Sequence, residues 1–143
     1  MAREIKFRGR DASGTWFFGD LHQWSNGEVY IGVHSSVWTD DGMNSQSYPS
    51  FNEIDPDTVG QFTGLYDKND KEIYEGDIIA VNGRQIGYIV GGVRGYCYDV
   101  IYNPAKSNGE KAWALYSVVT IDYPNKCEVI GNIYDNPELL KEG

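Results

Sequence analysis

Apolar and polar residues alternate along much of this chain, and short glycine-bearing turns break the alternation. In residues 3–9, Ile5, Phe7 and Gly9 fall on one side, and Glu4, Lys6, Arg8 and Arg10 on the other. That period of two predicts a half-buried strand whose charged face is solvated or protects a sheet edge. Asp11-Ala-Ser-Gly14 reads as a turn. An aromatic-rich strand over 15–24 follows, carrying Trp16, Phe17, Phe18 and Trp24. Ser25-Asn26-Gly27 turns the chain into a third strand over 28–35, where Val29, Ile31 and Val33 oppose Glu28, Tyr30 and His34. The first 35 residues therefore predict a three-stranded antiparallel meander.

Periodicity lapses over 36–56, where Ser, Asp, Asn, Gly and Pro surround Trp38, Met43, Tyr48 and Phe51. A loop this long is unusual in a small domain and is often functional, so Trp38, Tyr48 and Phe51 are candidate binding residues. A Gly-interrupted strand over 57–66, a polar turn at Asp67–Lys71 and a return strand from Glu72 come next. Glu75-Gly76-Asp77 re-aims the chain into Ile78–Val81, and Asn82-Gly83 marks a second tight hairpin into Gln85–Val90. Residues 96–102 and 112–121 read as strands, the latter with Trp113, Leu115, Val119 and Ile121 on one face. The last strand runs from Cys127 to Tyr134. Asn136-Pro137-Glu138 then sets an N-cap, a first-position proline and an early acid for one helical turn over 137–141.

The fold class expected is mainly β: the antiparallel meander, then a small SH3-like or related barrel, then a short C-terminal helical turn. One domain over 1–143 is expected, divided into a meander with its long loop (1–56) and a β core (57–143). Composition agrees, with 41% hydrophobic and 14% aromatic residues. No apolar run approaches the roughly 18 residues of a membrane span, and the N-terminus lacks the apolar core of a signal peptide. Cys97 and Cys127 are too few for a disulfide framework and read as packed thiols, as in the reducing cytoplasm.

Charge sharpens the reading. Net charge is −9, yet four of twelve basic residues (Arg3, Lys6, Arg8 and Arg10) lie in the first ten positions. From Asp11 to Asp67 there are nine acids and no Lys or Arg. Such a field repels phosphate backbones, so nucleic acid is a disfavoured partner. A nucleic-acid module would need Arg3, Lys6, Arg8, Arg10 and Arg94 to converge.

Familiar chemical motifs fail on spacing. An EF-hand starting at Asp67 would put Lys71, Glu72 and Ile78 where an oxygen ligand, a glycine and a glutamate belong. His22, His34, Cys97 and Cys127 lack zinc-ligand spacing. The acid pairs Asp40/Asp41, Asp55/Asp57 and Glu75/Asp77 suit turns better than acid–base chemistry. Gly91-Gly92-Val-Arg94-Gly95 precedes no helix that could hold phosphate. No catalytic residue, metal or cofactor is expected.

Two longer segments carry a resemblance: Asp55-Pro-Asp-Thr-Val-Gly-Gln-Phe-Thr-Gly-Leu-Tyr-Asp-Lys-Asn69 running into Lys71-Glu-Ile-Tyr-Glu-Gly-Asp-Ile78, and Glu128-Val-Ile-Gly-Asn-Ile-Tyr-Asp-Asn-Pro-Glu-Leu-Leu140. With the opening Arg3-Glu-Ile-Lys-Phe-Arg8, they resemble the YopX family of phage and prophage proteins over nearly the whole chain. The family's turn usually reads Asp-Lys-Asn-Gly; here Asp70 replaces the glycine, which is costly if the position needs positive φ. The opening also departs, reading Phe-Arg-Gly-Arg-Asp where Phe-Arg-Ala-Trp-Asp is common.

Physically, Gly64, Gly76 and Gly131 suit bends or close approach, Asp67 a turn start, and Asn136-Pro137 a helix start. The resemblance implies a phage or prophage accessory protein and carries over no catalytic residues. The function expected is binding without catalysis, as a homo-oligomer or with a host or phage protein; a nucleic-acid module and an enzyme of unknown class are the rivals.

Overall fold

The computed structural model describes residues 5–33, 37–38, 44–45, 50–91, 98–103 and 111–140. The chain divides into two compact units, Met1–Gln61 and Phe62–Gly143.

In the first unit the meander forms as the alternation predicts: β1 (Phe7–Arg10), β2 (Trp16–Gln23) and β3 (Val29–Val33). Two-residue strands β4 (Val37–Trp38) and β5 (Asn44–Ser45) pair with each other. β6 (Ser50–Ile54) pairs antiparallel with β3, so the end of the expected long loop is a strand. A 3-10 turn at Pro56–Thr58 then leads into β7 (Gly60–Tyr66), whose first residues pair with β1. Asp55 caps that turn, its Oδ1 accepting from the Asp57 N–H at 3.0 Å. The resulting strand order is β6-β3-β2-β1-β7.

One face of this sheet is dry. Val29, Ile31 and Ile54 are buried there, with Phe7, Phe17 and Leu21 packed against them. The opposite face carries the even-numbered residues of β2 and β3.

Two expectations for the first strand fail. β1 lies between β2 and β7 rather than at an edge. Arg8 is only 6% exposed, its guanidinium carbon 4.7 Å from the centre of the Trp16 ring. An aromatic neighbour on β2 thus replaces the water expected over that side chain. Ile5 precedes the strand and is 68% exposed.

In the second unit, β7 continues into a hairpin with β8 (Glu72–Tyr74). A five-stranded sheet comprises β9 (Asp77–Val81), β10 (Arg84–Gly91), β11 (Tyr98–Tyr102), β12 (Ala112–Ala114) and β13 (Cys127–Asn132). Its order is β12-β11-β10-β9-β13. Both units therefore use the order fourth-third-second-first-fifth, with a helical turn between the fourth and fifth strands. Such short antiparallel sheets are compatible with the small SH3-like or related barrel expected. No pairing among the described residues closes either set into a full barrel.

The expected strand over 112–121 is a strand only as far as Ala114. A helical turn at Leu115–Ser117 runs on into a wider π-type turn at Val118–Asp122. Leu115 and Val118 are fully buried and Val119 packs beside them, a helical three-and-four spacing. Trp113 and Ile121, expected to share that apolar face, are 40% and 67% exposed. Burial of Leu115 and Val118 against Ile79, Ile89 and Val100 overrides the β-branched bias of Val118-Val119-Thr120-Ile121.

The C-terminal turn forms at Pro137–Leu140, with proline in first position. Asn136 does not cap it with its side chain; its Oδ1 accepts from the Asn132 N–H at 3.2 Å. A Cβ on Gly131 would collide with that same oxygen, so the glycine admits the Asn136 side chain.

Candidate functional site

The geometry of the signature residues is structural. Three turns share one design: a first residue whose N–H donates to the carbonyl four places on, and a left-handed fourth residue. They begin at Asp11, Trp24 and Asp67, and their left-handed residues are Gly14, Gly27 and Asp70. Asp70 has φ of +63°, so the glycine replaced there did serve a positive φ.

Asp67 Oδ1 accepts from the Asn69 and Lys71 N–H groups at 2.8 and 2.9 Å, and Asp11 Oδ1 repeats this with Ser13 and Thr15. The Asp11 carboxyl is held below its ordinary value, first by the Ser13 hydroxyl and then by the Thr15 N–H. Asp77 Oδ2 accepts from the Tyr74 N–H at 2.8 Å. Gly76, at φ +91°, donates to Ile89 O and accepts from the Ile133 N–H, both at 2.8 Å. Asp67 and Asp77 accept from backbone N–H groups, and Asp11 accepts from backbone N–H groups and the Ser13 hydroxyl.

Cys127 is buried, its thiol pushed up to about 11 by burial and by Asp122 and Asp67. No three His, Cys, Asp or Glu side chains come together as a metal-holding group among the described residues.

Arg8 and Arg10 do come together, flanking Trp16 at 4.7 and 6.0 Å. Phe51 is 48% exposed on β6. Trp38 lies in β4, and only its backbone is described. Arg3, Tyr48 and Arg94 lie outside the described residues, as do His34, Cys97, Asp40 and Asp41. An open groove of about 690 Å³ lies between the Arg10–Gly14 turn and Glu53–Pro56.

What alternation on β2, β3 and β6 assembles is a patch around Phe51. Cross-strand register sets Tyr30 between His22 and Glu53, and Gly32 between Asp20 and Phe51. Trp24 closes the hairpin opposite Glu28. His22 and Phe51 meet edge-to-face at 4.9 Å over Gly32, and Trp24 and Tyr30 at 5.6 Å. Trp24 is 47% exposed. Burial, then Glu28 and Glu53, push the Tyr30 hydroxyl above its ordinary value. Sequence reading singled out only Phe51. The Asn26-Gly27 turn fixes the β2–β3 register, and that register was the signal for the other members.

The model of the YopX family, described as YopX protein, matches residues 6–141. The chain belongs to the YopX family. The resemblance read from the two long segments holds, and those segments meet in this YopX chain: Asp67 of one bonds Val129 of the other. Among solved structures, it is similar to protein EF1440 from Enterococcus faecalis, at 23% identity and a TM-score of 0.51. That alignment covers 98% of this YopX chain and all of the other, and it supports a shared fold. No curated protein matches. No helix is long and apolar enough to cross a membrane among the described residues.

Proposed function

We propose that this YopX-family chain is an accessory protein of a bacteriophage or integrated element, at work in the host cytoplasm. It acts by binding a protein partner and catalyses nothing. The observation that carries this reading is the aromatic patch on β2, β3 and β6, where Trp24 and Phe51 stay half exposed beside each other's neighbours. Large rings held on a rigid sheet supply contact area at low entropic cost, and they dominate interface cores. The carboxylates of Asp55, Asp67 and Asp77 are engaged by turns, which supports binding over acid–base chemistry at those residues.

Self-association belongs to a different surface. On the second unit Trp113, Tyr116 and Ile121 are exposed on edge strand β12 and the helical turn after it. A second copy meeting this edge would form a two-fold contact.

Capture from infected host cells, comparing wild type with Trp24→Ser and Phe51→Ser, tests the first part. Loss of the same co-purifying protein in both variants supports the reading; identical capture by all three defeats it. Light scattering on wild type and Trp113→Ser tests the second part, and a strict monomer across concentration removes the oligomer.

A further inference from the structure

We infer that the aromatic patch takes a cationic side chain, arginine or lysine, presented by an extended basic segment of the protein partner. The inference rests on the reading that this face binds protein, and it names the chemistry of what binds.

The patch interleaves rings with carboxylates. Tyr30 has Glu53 as its direct cross-strand partner on β6 and His22 on β2. Phe51 and Asp20 flank Gly32 in the next row, and Glu28 closes the hairpin opposite Trp24. Glu28 Oε1 accepts from the Asn26 side-chain amide at 2.7 Å, which orients the carboxylate and leaves its charge in place. Burial first, and then the charges of Glu28 and Glu53, hold the Tyr30 hydroxyl above its ordinary value.

Every member of the patch comes from the stretch between Asp11 and Asp67, which holds no Lys or Arg. Two cations on this face, Arg8 and Arg10 of β1, sit over Trp16 at the far end of β2, while the Trp24–Tyr30 end carries Glu28 and Glu53. Ring faces are electrostatically negative and attract ammonium and guanidinium groups. Carboxylates beside them add Coulomb attraction and repel phosphate or an acidic peptide. The complementary ligand is thus cationic, with an apolar stem to lie along the rings, as arginine and lysine have.

The test uses the full chain and NMR amide shifts. The probe is a synthetic peptide of alternating arginine and glycine. Its controls are the glutamate–glycine counterpart and a thymidine oligonucleotide. The arginine peptide should shift the amides of Trp24, Tyr30, Glu53 and their neighbours saturably. Raising salt from about 20 to 200 mM should weaken binding roughly five-fold or more, as the Debye length shortens. The Glu28→Gln/Glu53→Gln double variant, checked for an unchanged thermal midpoint, should bind roughly five-fold more weakly, and Trp24→Ala about three-fold.

The inference is overturned if the arginine peptide leaves these amides unmoved, if the double variant binds it equally well, or if the oligonucleotide binds better. It is also overturned if light scattering shows a dimer that Phe51→Ser dissolves, since a second copy would then occupy the patch. If peptide binding fails while Phe51→Ser still abolishes capture, only the cationic chemistry is wrong. If neither effect appears, the binding face itself is wrong.

Discussion

Asp67 Oδ2 accepts a hydrogen bond from the Val129 backbone N–H at 2.9 Å, joining residues 62 positions apart. The other oxygen of the same carboxylate organises its own turn, and the adjacent Lys68 N–H donates to Cys127 O at 2.8 Å. One buried side chain thus fixes the β7–β8 hairpin internally and fastens it to β13.

Asp67→Ala should therefore destabilise by about 2–4 kcal/mol, because three backbone donors lose a charged acceptor in a site 6% exposed. Asp11→Ala removes the same turn device from an exposed turn with no distant partner, and should cost far less. Urea denaturation of both variants checks the contrast. Equal losses would mean that the bond to Val129 adds nothing.

Asp70→Gly should stabilise the protein by about 0.5–1 kcal/mol, since glycine avoids the left-handed penalty at φ +63° but loses more freedom on folding. The same substitution at Asp57, in the ordinary helical turn, should not stabilise. Thermal midpoints of the two variants decide it.

Cys127 should resist alkylation in the folded protein at pH 8 and react readily once unfolded. The sign of the linked stability follows. The folded thiol ionises near 11 and the unfolded one near 9.0, so the contribution is full below about 9 and fades as pH rises toward 11. Mapping of alkylated peptides reads the first effect. Urea midpoints of wild type against Cys127→Ala between pH 8 and 11 read the second.

Gly9→Ala should destabilise by about 1–3 kcal/mol, because its Cβ would collide with Ile54 Cδ1 on the dry face of the first sheet. Ile54→Val removes that methyl, so the double variant should lose less than the two single losses combined. Additive losses in a denaturation cycle would show that the two residues do not meet.

How much of this was readable in advance varied with how local the determinant was. The β2–β3 hairpin was legible because its period, its Asn26-Gly27 turn and its buried Val29 and Ile31 agree. The turn beginning at Asp67 was legible for the same reason, down to the strained Asp70.

Residues 115–122 were misread because four β-branched residues mimic a strand; only the buried partners of Leu115 and Val118 reveal the helix. β6 was hidden because Ser50, Asn52 and Glu53 carry no strand period, and its pairing is supplied by β3. Arg8 looked solvated because alternation gives a face but not what covers it. The patch needed register as well as period: its rings and carboxylates are scattered from Asp20 to Glu53 and become neighbours only across three strands.

The last strand shows what the fold guards against. β13 lies at the margin of the five-stranded sheet, where unpaired backbone groups could template cross-β growth with another molecule. Asp67 and Lys68 occupy two of those groups, at Val129 and Cys127. A chain lacking the Asp67 carboxylate would expose a sticky ribbon as well as losing stability. It should gather into thioflavin-positive fibrils under gentle heating while wild type stays clear.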